Sequence, residues 1–202
     1  MHFADPAYLF NTRPLWTVIF WGSFVAFFLV TTWVNRRERN AARGDLRDSG
    51  SKPLIYFASA VGALCAFFAP SLLPSARITF APEPVFETAM ALFWTGLLLY
   101  VWAVVTLGAY FRTSVQLLDG QRLVTRGPYR LLRHPAYTGG ILLFAGIGLA
   151  MGNWISAIGT PLAVTLAYMW RIHIEEIALA ERFGAEFEAR KGRTWAVIPL
   201  LW

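Results

Sequence analysis

Long apolar runs separated by charged segments constrain the fold of this chain more than any other feature of its sequence. The first run, residues 14–34, is about twenty residues long, which at about 1.5 Å per residue is enough to cross the hydrocarbon core of a bilayer. Four further runs follow, at residues 53–73, 85–111, 136–151 and 154–170. With 56% hydrophobic residues, the chain is too apolar for a soluble domain. The sequence therefore predicts an all-α integral membrane protein with about five transmembrane helices.

A tight turn between the fourth and fifth runs sets the geometry of the C-terminal half. Gly152 and Asn153 are typical turn residues, so the two runs are expected to form a helical hairpin whose first arm is short for a full span. The start of the fourth helix and the end of the fifth then lie close together on the same side. The hairpin therefore predicts that His134 lies near Arg171 and Glu175.

The basic residues predict the orientation of the helices. Lys and Arg concentrate at residues 35–52, at residues 111–133 and from Arg171 onward, and five spans place these three segments on the same side. The positive-inside tendency makes that side cytoplasmic and puts the N-terminus outside. Residues 35–52 are charged throughout, which predicts a solvated linker or a short interfacial helix.

A polar segment at residues 121–139 immediately precedes the fourth run and contains four arginines, a Gly-Pro and a His-Pro. Pro135 suits the first position of a helix, where its missing N–H costs nothing. The amides of Ala136 to Thr138 are then expected to face the polar segment, and a helix N-terminus is a favourable site for a carboxylate or phosphate. The alternative interpretation is a basic interfacial loop that holds lipid headgroups.

A second polar patch lies where the fifth helix leaves the membrane. Arg171 and Glu175 are one turn apart on the same helix face. On general grounds such a pair is only a surface ion pair, worth a few tenths of a kcal/mol. Its position at the membrane boundary, facing His134, favours a functional role instead. Glu176 is expected to be solvated or to support the site from outside.

Three sequence motifs carry a resemblance to a known family. They are GPYR at residues 127–130, RHPAYTG at residues 133–139, and RIHIEE from residue 171 followed by ERFG at residues 181–184. Together they resemble the isoprenylcysteine carboxyl methyltransferase family, and membrane methyltransferases that act on phospholipid amines share two of these elements. The resemblance implies a multi-span helical enzyme that binds S-adenosylmethionine in a cytosol-facing pocket and takes a lipid-modified substrate from the bilayer. It also implies two regions, N-terminal transmembrane helices at 1–110 and a catalytic region at 111–202.

The resemblance further implies which residues form the site. Arg171 matches the arginine that binds the substrate. The positions that match cofactor contacts are Gln116, Gln121, Arg122, Leu123, Val124, Tyr129, His134, Pro135, Ala136, Tyr137 and Glu175. The chain departs from the family pattern at Phe187 and Arg190, where tyrosines are common, and at residues 193–196, so the closure of the pocket is expected to differ.

Several functions fit these observations. The leading hypothesis is an S-adenosylmethionine-dependent carboxyl O-methyltransferase acting on an isoprenoid- or lipid-like acid, whose carboxylate is ionised at neutral pH and needs no general base. Alternatives are a phospholipid-amine N-methyltransferase, a sterol-type membrane reductase and a non-catalytic membrane scaffold. The expected partners are a lipid-like or prenylated substrate and membrane lipids. Nucleic acid is not expected, because the arginines flank apolar runs, and one cysteine with three scattered histidines predicts no metal site.

Overall fold

The fold is a bundle of α-helices, known from a computed structural model that describes residues 14–39, 45–118 and 120–199. Short 3₁₀ segments lie in the connections, and the two-residue strands β1 (Asp45–Leu46) and β2 (Gln116–Leu117) pair antiparallel. Within the described residues the helices are α1 (Pro14–Arg39), α2 (Ser51–Leu72), α3 (Pro82–Leu107), α4 (Pro135–Ala150), α5 (Trp154–Phe183) and α6 (Ala185–Lys191).

The lengths of the helices confirm an integral membrane protein. Four of them, α1, α2, α3 and α5, are long and apolar enough to cross a bilayer. The fourth predicted run forms α4, which is apolar but has only 16 residues, so it is the short arm that the sequence predicted. The fifth run extends to Phe183 as a single helix of 30 residues, and its last turns carry the second polar patch.

The turn between α4 and α5 packs against the connection from α2 to α3. The side-chain amide of Asn153 donates to the carbonyl of Leu73 at 3.0 Å, and the amide of Ile78 donates to the carbonyl of Gly152 at 2.8 Å. The side-chain oxygen of Asn153 also caps α5 by accepting from the amide of Ile155 at 2.9 Å. These contacts fix the predicted hairpin in place.

Helices α3 and α4 pack with their backbones in direct contact. A Cβ atom added at Gly96 would lie 2.5 Å from the carbonyl oxygen of Gly139 and 2.5 Å from the amide of Leu143. A Cβ atom added at Gly146 would lie 2.5 Å from the carbonyl oxygen of Ala89. Glycine is therefore required at these positions, as in other close contacts between membrane helices. The contact also sets the height of α4 and hence the position of His134 at its start.

The Gly96→Ala substitution is expected to destabilise the protein by about 1–3 kcal/mol, because two backbones would have to separate. Thermal unfolding in detergent measures this as a lower Tm. Gly22→Ala in α1 is the matched control, since nothing lies within 4 Å of a Cβ atom added there. Equal Tm values for the two variants would contradict the backbone contact.

Candidate active site

The hairpin brings the two polar patches together. His134 is buried just before α4, and its Nδ1 lies 3.8 Å from Oε2 of Glu175 while its Nε2 lies 3.2 Å from Oε1 of Glu176. Glu176 also accepts from Nε of Arg133 at 2.7 Å. Glu176 therefore holds the side chains of Arg133 and His134 in place, which agrees with the supporting role that was one of the two expected from the sequence.

A single hydroxyl group joins Arg171 to Glu175. Tyr137 donates its hydroxyl hydrogen to Oε2 of Glu175 at 2.7 Å and accepts from Nε of Arg171 at 3.1 Å. The ring of Tyr137 stacks between His134 and Tyr168, with ring centroids 5.6 Å and 4.9 Å away. Both the ring and the hydroxyl of Tyr137 are thus held in one orientation.

Arg171 is also held from the opposite side by residues 45–52, here called the strap, which lead from β1 into α2. Nη1 of Arg171 donates to Oδ1 of Asp48 at 2.7 Å and to Oγ of Ser51 at 2.9 Å, and the arginine is 2% exposed. Residues 35–52 were predicted as a solvated linker or a short interfacial helix. For Asp48 and Ser51 the solvated interpretation was wrong, because their side chains are largely buried against Arg171, whereas residues 35–39 continue α1 and residues 40–44 lie outside the described residues. An acidic residue and a serine ahead of an apolar run are typical of a helix start, and that signal predicts structure at Asp48.

One nitrogen of the Arg171 guanidinium, Nη2, is not engaged by the described residues. Nε and Nη1 are engaged by Tyr137, Asp48 and Ser51, whereas Nη2 has no hydrogen-bond partner among the described residues. Arg171 lines the cavity described below, so Nη2 is the arm that can meet a bound group there. For Arg171 to contact a carboxylate through two nitrogens, either Tyr137 would have to release Nε or Asp48 would have to release Nη1.

The chain after α5 folds back over the polar segment; residues 185–199 are here called the tail. The amides of Arg133 and His134 donate to the carbonyls of Trp195 at 2.8 Å and Ala196 at 2.9 Å. Arg190 donates to the carbonyl of Tyr129. Burial lowers the pKa of Arg190, and the neighbouring charge of Arg133 lowers it further. Among the departures from the family pattern, Phe187 and Arg190 line the cavity and residues 193–196 do not, so part of the tail forms its wall.

These elements enclose one cavity of about 610 Å³. Arg171 and every predicted cofactor position except Pro135 line it, whereas Pro135 is buried in the helix start behind His134. The predicted residues in the wall are Gln116, Gln121, Arg122, Leu123, Val124, Tyr129, His134, Ala136, Tyr137, Arg171 and Glu175. The structure thus gathers the positions matched by motif into one place.

The cavity continues from this polar end into an apolar arm. Helices α1, α2 and α4 form the arm, through side chains that include Phe24, Phe27, Ala60, Ala63 and Ile147. Sequence reasoning did not assign these residues to the site, because in a membrane helix an apolar side chain that faces a cavity looks the same as one that faces lipid. The cavity therefore has a polar end and an apolar end.

The residues at the polar end fit S-adenosylmethionine, with one correction. Glu175 supplies a carboxylate acceptor, and Tyr129, His134 and Tyr137 supply aromatic surface for a purine or a sulfonium. The amides of Tyr137 and Thr138 do not serve an anion as expected, because both donate to the carbonyl of His134 at 3.0 Å and 3.2 Å. Arg122 is exposed and lines the cavity, so its guanidinium could hold the carboxylate of such a cofactor instead.

Comparison with known proteins agrees with the motifs. Residues 89–181 match the isoprenylcysteine carboxyl methyltransferase (ICMT) family. A probable protein-S-isoprenylcysteine O-methyltransferase from Oryza sativa subsp. indica is 32% identical over 101 residues, which are 49% of this chain and 53% of that protein. The protein-S-isoprenylcysteine O-methyltransferase of Homo sapiens is 33% identical over 116 residues, covering 53% and 41%. The chain spans about half the length of the curated relatives that it matches.

The fold also has a solved counterpart. A structure of the eukaryotic intramembrane Ras methyltransferase ICMT superposes with a TM-score of 0.58 at 24% identity, covering 73% of this chain and 53% of that one. At this identity the likeness concerns the fold alone. The resemblance to the family that the motifs indicated is confirmed for the central part of the chain.

Proposed function

We propose that this chain, similar to the ICMT family over residues 89–181, is an integral membrane methyltransferase that uses S-adenosylmethionine to methylate the carboxylate of an isoprenoid- or lipid-like acid. One observation carries the proposal: a single cavity joins the cluster of Tyr137, Glu175 and Arg171 to an apolar arm between membrane helices. A site of that kind lets a polar donor and a lipid acceptor meet.

The donor occupies the polar end in this proposal. Gln121 to Val124, Tyr129, His134 to Tyr137 and Glu175 would hold S-adenosylmethionine, with Pro135 acting by fixing the start of α4. Oε1 of Glu175 has no hydrogen-bond partner among the described residues, and the side chain is 30% exposed, so that oxygen is available to an ammonium or a ribose hydroxyl. When bound, the cofactor supplies a methyl group on a sulfonium, which a carboxylate oxygen can attack without a general base.

The acceptor occupies the apolar arm, with its carboxylate at Arg171. In this proposal Nη2 orients the substrate oxygen toward the polar end, and the half-buried rings of Tyr137 and Tyr168 beside Arg171 limit the access of water. The described part of residues 111–202 then provides the donor side and, through α4, one wall of the lipid side, while α1 and α2 within residues 1–110 provide the rest of the lipid side. The polar end faces the cytoplasm in this proposal, because the basic segments surround it.

Transfer of a radioactive methyl group into lipid extracts tests the proposed function. Purified protein in lipid nanodiscs is expected to label lipids, and mild base is expected to release the label as methanol, because an ester hydrolyses. Label that resists base would indicate an N-methyl product and the phospholipid-amine alternative. Absence of transfer to any lipid acid would contradict the proposal.

The Ala63→Trp substitution is expected to reduce transfer to long-chain acids by about tenfold or more, because an indole ring would fill the apolar arm. The affinity for S-adenosylmethionine, measured by calorimetry, should stay the same because Ala63 lies on the lipid side of the cavity. Val61→Trp is the matched control on the same helix, since Val61 is 39% exposed and lies outside the cavity wall. Equal losses in the two variants would show that the arm does not hold the acceptor.

A further inference from the structure

We propose that Asp48 is a positioning residue whose negative charge offsets the positive charge of Arg171. Arg171 can then orient a substrate carboxylate without binding it so strongly that the carboxylate becomes a poorer nucleophile. This inference rests on the proposed function and concerns the same site. Asp48 lies in the strap, about 120 residues before Arg171, and nothing in the sequence motifs points to it.

The structure builds Asp48 into the site as a fixed anion. Its Oδ2 accepts from the amide of Lys52 at 2.9 Å, and its Oδ1 accepts from the amide of Val115 at 3.1 Å and the hydroxyl of Ser51 at 3.0 Å. Nη1 of Arg171 completes the set at 2.7 Å. Helix α2, the residue before β2 and α5 thus all donate to one carboxylate, whose side chain is 11% exposed.

These donors keep Asp48 ionised. Burial acts to raise the pKa of Asp48, but the amides of Lys52 and Val115, the hydroxyl of Ser51 and the charge of Arg171 outweigh burial and hold that pKa below its usual range. The carboxylate is therefore a full negative charge in contact with Arg171 near neutral pH.

The reaction explains why such an offset matters. A carboxylate oxygen forms a bond to the methyl carbon while the carbon–sulfur bond breaks, and the sulfur keeps the electron pair. The negative charge of the carboxylate disappears in this step, so a bare cation would stabilise the substrate more than the transition state. Only interactions that are stronger in the transition state accelerate a reaction. Asp48 weakens the attraction of Arg171 for the ground state while leaving Nη2 in place to orient the oxygen.

The Asp48→Asn substitution tests this inference. It removes the charge and keeps the shape, so Arg171 becomes a stronger anion binder. We expect the affinity for palmitate, measured with S-adenosylhomocysteine present, to rise by about tenfold and kcat to fall by at least about as much. The affinity for palmitamide, which has no charge, should not change. A purely structural role would instead weaken the binding of both probes, and that result would overturn the inference.

Two further variants keep the test decisive. Asp48→Glu retains the charge, so its palmitate affinity should remain close to that of the unmodified protein even where its Tm falls; an affinity as high as that of Asp48→Asn would contradict the role of charge. Glu181→Gln is the charge-matched control, because Glu181 on α5 forms an exposed ion pair with Arg47 of the strap. Removing this negative charge should leave palmitate affinity unchanged. Failure of the unmodified protein to methylate any lipid acid would reject the proposed function separately, because the affinities for palmitate and palmitamide are measured without turnover.

Discussion

The Arg171→Ala substitution is expected to lower the rate of methyl transfer by about a hundredfold or more. Arg171 lines the cavity, and its Nη2 has no hydrogen-bond partner among the described residues, so without this arm the carboxylate is expected to lose its fixed position relative to the donor. The affinity for S-adenosylhomocysteine should change much less than the rate, since Arg171 contacts one predicted cofactor position, Tyr137, whose hydroxyl still has Glu175 as its partner. Single-turnover methyl transfer and calorimetry on the same preparation measure the two quantities.

Two comparisons make this result specific to Arg171. Arg182→Ala removes an exposed arginine from the same helix outside the cavity wall, and we expect no change in rate. Arg171→Lys should also be slow, because an ammonium group cannot contact Tyr137 and Asp48 and still present a planar arm to the cavity. Normal turnover in Arg171→Ala would reject the carboxylate contact.

The Glu175→Ala substitution is expected to weaken binding of S-adenosylmethionine by about thirtyfold or more, because a hydrogen bond to a charged group contributes about 1.5–3 kcal/mol and Tyr137 loses its acceptor as well. Calorimetric titration of the purified protein measures the affinity. Because Glu175 also contacts His134 at 3.8 Å, the loss should affect the donor more than the lipid acid.

Glu181→Ala is the matched control for Glu175→Ala. Glu181 lies further along α5, with its side chain 56% exposed and outside the cavity wall, so cofactor affinity should stay the same. An unchanged affinity in Glu175→Ala itself would remove Glu175 from the donor site.

The hairpin was predictable because its determinants are local in sequence. Gly152 and Asn153 form a turn that is too short to cross the bilayer, so the start of α4 and the end of α5 must lie on the same side. His134 must therefore approach Glu175. The apolar runs predicted the helices for a similar reason, since hydropathy and length are summed over neighbouring residues.

The contact of the strap with Arg171 and the apolar arm of the cavity were not predictable, because the residues that form them are distant in sequence. Asp48 acquires its role from Val115 and Arg171, which lie on two other elements, so a charged segment reads as solvent-exposed until the helices are packed. The orientation of Ala60 and Ala63 likewise depends on how α1, α2 and α4 pack together, which no local pattern specifies. The engagement of the amides of Tyr137 and Thr138 with the carbonyl of His134 likewise depends on the backbone geometry at His134.

Ultraviolet cross-linking of S-adenosylmethionine with a radioactive methyl group, followed by peptide mapping, tests most directly whether both polar patches enclose one donor. The proposed site predicts label in peptides that cover residues 116–137 and residues 171–175, and loss of that label when S-adenosylhomocysteine is present in excess. Label confined to peptides outside the cavity wall, or label that the competitor does not displace, would contradict the assignment of this cavity as the methyl-donor site.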